Sequence, residues 1–70
     1  MDIKKALGKR LAKERKKRGL TQVDLSITLG TSDKYIGKVE NGRTNLGICN
    51  IQKFAQAFDL QLEELFKGIK

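Results

Sequence analysis

The sequence predicts an all-α fold of five short helices, on three observations. Apolar residues recur at intervals of three and four along almost the whole chain, and no segment shows the sustained alternation of a half-buried strand. Gly19, Gly30, Gly42 and Gly68 stand where four of those apolar stripes stop. The 70 residues include no proline, so nothing forces a break inside a helix. A chain of this length is expected to form one small domain, residues 1–70, around a single modest core.

Each element has its own justification. Ile3, Leu7 and Leu11 recur every four residues and give a first helix over about residues 2–18, with Lys16, Lys17 and Arg18 at the negative end of its dipole before Gly19. Thr21 caps a second helix, with Asp24 three residues on as a capping-box partner, and that helix runs to about Leu29. Thr31 and Ser32 offer N-cap hydroxyls to a third helix, about 32–41, that ends at Gly42. Residues 43–47 read as a loop. Ile48, Ile51, Phe54, Ala55 and Phe58 keep helical spacing and give a fourth helix to about Phe58. Leu62, Leu65 and Phe66 mark a short fifth, closed by Gly68.

The second and third helices follow a tighter rule. With Gln22 as position one, Leu25, Leu29, Ile36 and Val39 place apolar side chains at positions four, eight, fifteen and eighteen, small Ser26 falls at five and Gly30 at nine. The four apolar residues are the inward sides of two helices wedged against a third. Ser26 is small because the next helix crosses close to its backbone. Gly30 stands where the chain must turn sharply, a place that favours positive φ. These six constraints at fixed offsets describe a helix-turn-helix over residues 22–41, an arrangement that lays its second helix in the major groove of DNA.

The charge agrees with a polyanionic partner. Of the net +7, residues 1–18 hold nine basic side chains against two acidic ones, while residues 19–70 balance six against six. The structural alternative is a solvated helix kept soluble by lysine. Beside a helix-turn-helix the partner reading gains weight, because phosphate neutralisation supplies most affinity for DNA. Neither a membrane-length apolar run nor a signal-peptide core is present, and Cys49 is the lone cysteine, so the expected setting is cytoplasmic without a disulfide framework.

Five helices in this order, carrying GLTQVDL at 19–25, LGTSDKYI at 29–36 and the triplet Glu40-Asn41-Gly42, resemble the lambda-repressor and Cro type of DNA-binding domain, often called the XRE family. The resemblance spans about residues 5–67. Within it, KYIGKVENGRTNLGICNIQKFAQAFDLQLEELF is similar to restriction-modification controller proteins, which share the aromatic-Ile start of the third helix, the basic-polar-Asn loop, the Asn-Ile-Gln-Lys fourth helix and the Glu-Leu-Phe ending. It implies a compact five-helix domain, double-stranded operator DNA as partner, and a role in regulating transcription.

The expected interface follows from the faces of the third helix. Ile36, Val39 and Glu40 point inward, leaving Asp33, Lys34, Gly37, Lys38 and Asn41 outward. The candidate base contacts are Ser32, Asp33, Lys34, Tyr35 and Lys38. Lysine donates to guanine O6 or N7 and Asp33 accepts from a cytosine amino group. For the lysines the alternative is phosphate contact, and for Asp33 it is a charge on the positive helix end. Tyr35 either meets a thymine methyl or phosphate or covers the core. Gly37 is unusual in mid-helix, and both close approach of DNA and neutral drift account for it. The candidate phosphate contacts are Gln22, Asn41, Arg43, Thr44 and Asn45, with a turn or cap role open for Asn45. The resemblance implies the phosphate role of Gln22. Arg15 continues the Leu7–Leu11 face and Glu40 faces inward, so an ion pair between them is expected as scaffold, and the family has such a pair at matching places.

Catalysis finds little support: histidine is missing, Cys49 has no evident base, the acids look scattered or surface-like, and no metal-ligand spacing exists. No cofactor, metal, membrane or small-molecule ligand is expected. One such domain reads about half an operator, so a homodimer on a pseudo-palindrome with half-sites ~34 Å apart is expected. Its surface is sought among Ile48, Cys49, Leu62, Phe66 and Ile69, each with a core role as the alternative. Control would act by occluding polymerase, recruiting it, or both. The rival readings are an antitoxin, which usually carries a toxin-binding segment although this chain ends two residues after Gly68, and a basic helix acting on a membrane, whose apolar face here is narrow and lacks aromatics.

Overall fold

A computed structural model describes residues 2–67 and folds them into α1 (Ile3–Lys17), α2 (Gln22–Leu29), α3 (Asp33–Glu40), α4 (Ile48–Ala57) and α5 (Leu62–Phe66). Among the described residues there is no strand. The all-α class and all five helices are those the sequence predicts, with ends that differ by a residue. The predicted stop at Gly68 lies outside the described residues.

Local chemistry sets the boundaries. The Asp2 carboxylate accepts from the Lys4 and Lys5 N–H groups and starts α1. The capping box of α2 is complete: Thr21 Oγ1 accepts from the Asp24 N–H at 3.0 Å, and the Asp24 carboxylate accepts from the Thr21 N–H at 2.9 Å. These contacts hold the Asp24 carboxyl below its ordinary pKa. Gly30 takes the left-handed conformation at φ 70°, and the Thr31 N–H closes back onto the Ser26 carbonyl at 2.9 Å. Ser32 Oγ accepts from the Tyr35 N–H at 3.1 Å and opens α3. α4 ends without a glycine; Asp59 adopts φ 56° instead, while the Leu60 N–H reaches the Ala55 carbonyl.

α3 packs between α1 and α2, α4 lies on α2 and α5, and α5 returns to α1. Leu11, Leu25, Ile36, Phe54, Phe58 and Leu65 fill the centre, with the Phe54 and Phe58 rings tilted at a centroid separation of 6.5 Å. The apolar stripes are covered unevenly. Ile3, at the start of the α1 stripe, is 55% exposed at an open groove shared with Leu7, Leu46, Ile51 and Phe66. Leu29 points inward as its place in the turn motif predicts and is half-buried against the core.

Gly8, unremarked by the periodicity, permits the close crossing of α1 over the end of α3. A Cβ there would lie 2.6 Å from the Glu40 carbonyl oxygen and would also collide with that of Val39. The expectation of scattered, surface-like acids fails at Glu14, which is 3% exposed. Arg18 donates to its carboxylate at 2.7 Å and Arg10 approaches at 3.0 Å. The hydrogen bond from Arg18 holds the Glu14 carboxyl below its ordinary pKa, against the opposing effect of burial. Arg18 also donates to the Phe58 carbonyl and lies 5.0 Å over the Phe58 ring, and Arg10 donates to the Glu64 carbonyl at 3.2 Å. Arg10 of α1 and Arg18 at its C-cap therefore tie α5 and the C-cap of α4 to the first helix.

Candidate nucleic-acid interface

α2 and α3 meet at the tight turn through Gly30, and the outer side of α3 faces away from the core. Asp33, Lys34 and Lys38 on that side are exposed, while Ile36 and Val39 are buried. Ser32 is exposed beside them, and its oxygen is engaged as the N-cap of α3. Tyr35 is half-buried and packs against the core, bordering a cleft with Leu29, Phe54 and Lys53. Its ring is thus committed to packing, leaving the hydroxyl for any outer contact. Gly37 has open surroundings: a Cβ would make only ordinary contacts with the Gln22 amide at 3.8 and 3.9 Å.

The base of this surface is a three-residue polar chain. Arg15 Nε donates to Glu40 Oε2 at 2.6 Å and Arg15 Nη2 to Glu40 Oε1 at 3.1 Å, with both side chains nearly out of solvent. Arg15 Nη1 donates to the Leu20 carbonyl at 2.7 Å, and the bond to Glu40 raises the arginine's already high pKa. Gln22 Nε2 then donates to Glu40 Oε1 at 3.0 Å. The ion pair thus fixes α1 against the end of α3 and orients the glutamine at the head of α2. The bond from Gln22 was missed by sequence reasoning, because spacing alone does not show that the start of α2 adjoins the end of α3.

Asn41 forms the C-cap of α3 and is exposed at the same edge. Gly42 follows at φ 69°, packed so closely on Lys5 that a Cβ would meet that residue's backbone at 2.9 Å. Arg43 and Asn45 are exposed, and Thr44 is half-buried. Thr44 and Asn45 also border the apolar groove with Ile3, Leu46 and Phe66. Lys9, Lys13 and Lys16 line a second groove together with Ala12, Arg15, Gln22, Glu40 and Asn41. The reading of the first helix as basic is therefore refined: Arg10 and Arg18, like the expected scaffold residue Arg15, tie the fold together, and these lysines border the candidate interface.

The residues sought for self-association fall into two sets. Ile48 is 61% exposed and Cys49 is exposed, whereas Leu62 and Phe66 are half-buried against the core. Ile69 lies outside the described residues. Among those residues, no helix is long and apolar enough to cross a membrane.

Comparison with known proteins places this geometry. A helix-turn-helix family model, HTH_3, matches residues 11–65. The chain is similar to the control protein C.MunI of Mycoplasma sp, at 33% identity over 70 residues, covering 99% of this chain and 95% of that one. It is also 34% identical over 65 residues to the uncharacterized HTH-type transcriptional regulator y4dJ of Sinorhizobium fredii, covering 93% of this chain and 84% of that protein. Among solved structures, the restriction-modification controller protein C.AhdI from Aeromonas hydrophila superposes with a TM-score of 0.83 at 39% identity, covering 89% of this chain and 94% of that one.

Proposed function

The chain belongs to the helix-turn-helix family HTH_3, and from that premise we propose that this transcriptional regulator binds a pseudo-palindromic DNA operator, sequence-specifically and as a homodimer. The observation that carries the reading is the open polar side of α3. Asp33, Lys34 and Lys38 stand exposed there, and Gln22 at the head of α2 and Asn41 at the end of α3 share a groove beside Glu40. Lys34 is the base-reading lysine, near the helix start where a major-groove helix penetrates deepest. Ser32, Asp33, Tyr35 and Lys38 surround it. Asp33 acts mainly to exclude sequences without a cytosine partner, since a carboxylate facing phosphates is otherwise repelled.

Gln22, Asn41, Arg43, Thr44 and Asn45 hold the flanking phosphates and so set the register of the helix without reading sequence. Glu40 gives Gln22 a fixed orientation while leaving its second amide proton for a phosphate oxygen. Two copies meet through Ile48, Cys49, Leu62 and Phe66 and place their α3 helices one turn apart. The likeness to C.MunI and C.AhdI supports a restriction-modification controller role as the setting of this regulation.

Binding-site selection from a random duplex pool, with the bound species sized, tests the proposal. The expected result is an enriched palindrome with half-sites ~34 Å apart, occupied by two chains. An unenriched pool, with binding that vanishes at moderate salt, overturns it. On the selected operator, Lys34→Ala is expected to relax preference at one base position. Arg43→Ala is expected to weaken all sequences alike and lower the salt slope by about one; a sequence-selective loss would remove Arg43 from the phosphate set.

A further inference from the structure

We infer that the groove between α1 and the α2–α3 unit is an additional seat for the DNA backbone, in which Lys9, Lys13 and Lys16 hold phosphates beyond those reached by Gln22 and Asn41. The inference rests on the DNA-binding reading above and extends it to α1.

The three lysines share this groove with Gln22 and Asn41, so a strand that meets the head of α2 passes along their wall. Their positions, four and three residues apart, put them on one side of α1 over about 10 Å of helix. A DNA strand presents a charge every ~3.4 Å of duplex axis, so that length faces more than one phosphate. Ala12, between Lys9 and Lys13 in sequence, lines the groove with a small uncharged side chain.

Charge within the groove favours an anion. Its carboxylate, Glu40, is bound by two Arg15 donors and by Gln22, so its repulsion is offset before a phosphate arrives. The sorting of side chains on α1 points the same way. Arg10 and Arg18 are engaged with Glu14 and with carbonyls of the C-terminal helices, and Arg15 is engaged with Glu40. Lys9, Lys13 and Lys16 are exposed, and no hydrogen bond or ion pair to another side chain holds them within the described residues. Lysine is a compact charge on a flexible stem, suited to following a backbone and unsuited to reading bases. The seat therefore adds affinity and lengthens the footprint without changing sequence preference.

The test compares the triple variant K9Q/K13Q/K16Q with a charge-matched triple outside the groove, K17Q/K53Q/K67Q. Binding to the selected operator is titrated across salt concentrations, and thermal unfolding checks that each variant folds. The groove variant is expected to lower the slope of log affinity against log salt by about 2–3, at ~0.9 per phosphate contact, with the selected sequence unchanged. The control is expected to lower it by less than about one. Trimming the duplex outside the half-sites should weaken the wild-type protein and leave the groove variant nearly unaffected. Equal slopes for the two variants, or equal sensitivity of wild type and groove variant to trimming, overturn the seat. If the wild-type protein selects no operator at all, the regulator reading fails first and the inference falls with it; a normal operator with an unchanged groove-variant slope refutes the seat alone.

Discussion

Glu40 and Glu14 are both nearly removed from solvent and both bind arginine of α1, yet they organise opposite halves of the molecule. Glu40 comes from another element: it accepts two hydrogen bonds from Arg15 and one from Gln22, and so joins α1, α2 and α3 at the candidate DNA edge. Glu14 belongs to α1 itself and sits between Arg10 and Arg18, which carry the tie onward to the Glu64 and Phe58 carbonyls. The first arrangement is a direct clasp between side chains distant in sequence. The second is an indirect one, in which the carboxylate orients two cations that do the bridging. Loss of the clasp leaves buried charge unmatched, whereas loss of the orienting acid leaves each arginine some partners.

That difference ranks the expected effects. Glu40→Ala should destabilise the fold by about 3–5 kcal/mol, because Arg15 remains nearly buried with only the Leu20 carbonyl to meet. Replacing Arg15 and Glu40 together by apolar residues of similar volume should recover most of the loss. Chemical denaturation of the single and double variants measures both. Glu14→Ala should cost less, about 1–3 kcal/mol, since Arg18 keeps two carbonyls and the Phe58 ring, and Arg10 keeps the Glu64 carbonyl. Equal costs for the two alanine variants would dissolve the distinction between direct and indirect ties.

Acid sharpens the same contrast. The folded Glu14 carboxyl is held below its ordinary value of 4.5, so its stabilising contribution is complete above that pH. It is lost progressively as pH falls from there through the lowered folded value. Thermal unfolding followed from about pH 6 to about pH 3 should therefore show a shallower acid loss in Glu14→Gln than in the wild-type protein. Asp24, also lowered by its capping contacts, keeps some acid dependence in both. Identical acid profiles would mean that the Glu14 cluster does not link protonation to folding.

The two acids also differ in how far sequence reveals them. Glu40 follows Ile36 and Val39 on the inward side of a strongly patterned helix, and Arg15 lies four residues past Leu11, so their meeting is legible from periodicity. Glu14 is equally placed by spacing, three residues past Leu11 and four from both Arg10 and Arg18. One of two acids among nine basic residues reads as surface, and only the return of α5 onto α1, with the chain just after α4 held at the Phe58 carbonyl, shows that this side of α1 is covered. The five helices were legible because caps and stripes are local. Gly8, the Gln22–Glu40 bond and the lysine groove were not, because each depends on how α1 crosses the turn motif. That crossing is a tertiary fact with no local signature.

Gly37 offers the smallest effect and a probe of the Glu40 side that alters no charge. It lies in mid-helix on the outer side of α3, where glycine costs about 1 kcal/mol relative to alanine. Nothing in the fold demands it: an added Cβ meets the Gln22 amide only at ordinary contact distances, and the residue does not adopt positive φ. Gly37→Ala is therefore expected to raise stability by about 0.5–1 kcal/mol in denaturant titration. Its contact with Gln22 makes the same variant informative about binding. Lower operator affinity with an unchanged salt slope would assign the glycine to close approach of the α3 backbone to DNA. A lower slope would instead mean that the methyl group displaces the Gln22 amide from its phosphate, so that the chain from Arg15 through Glu40 to Gln22 sets the contact. A stability loss would show that α3 is packed more tightly against Gln22 than contacts near 3.8 Å imply.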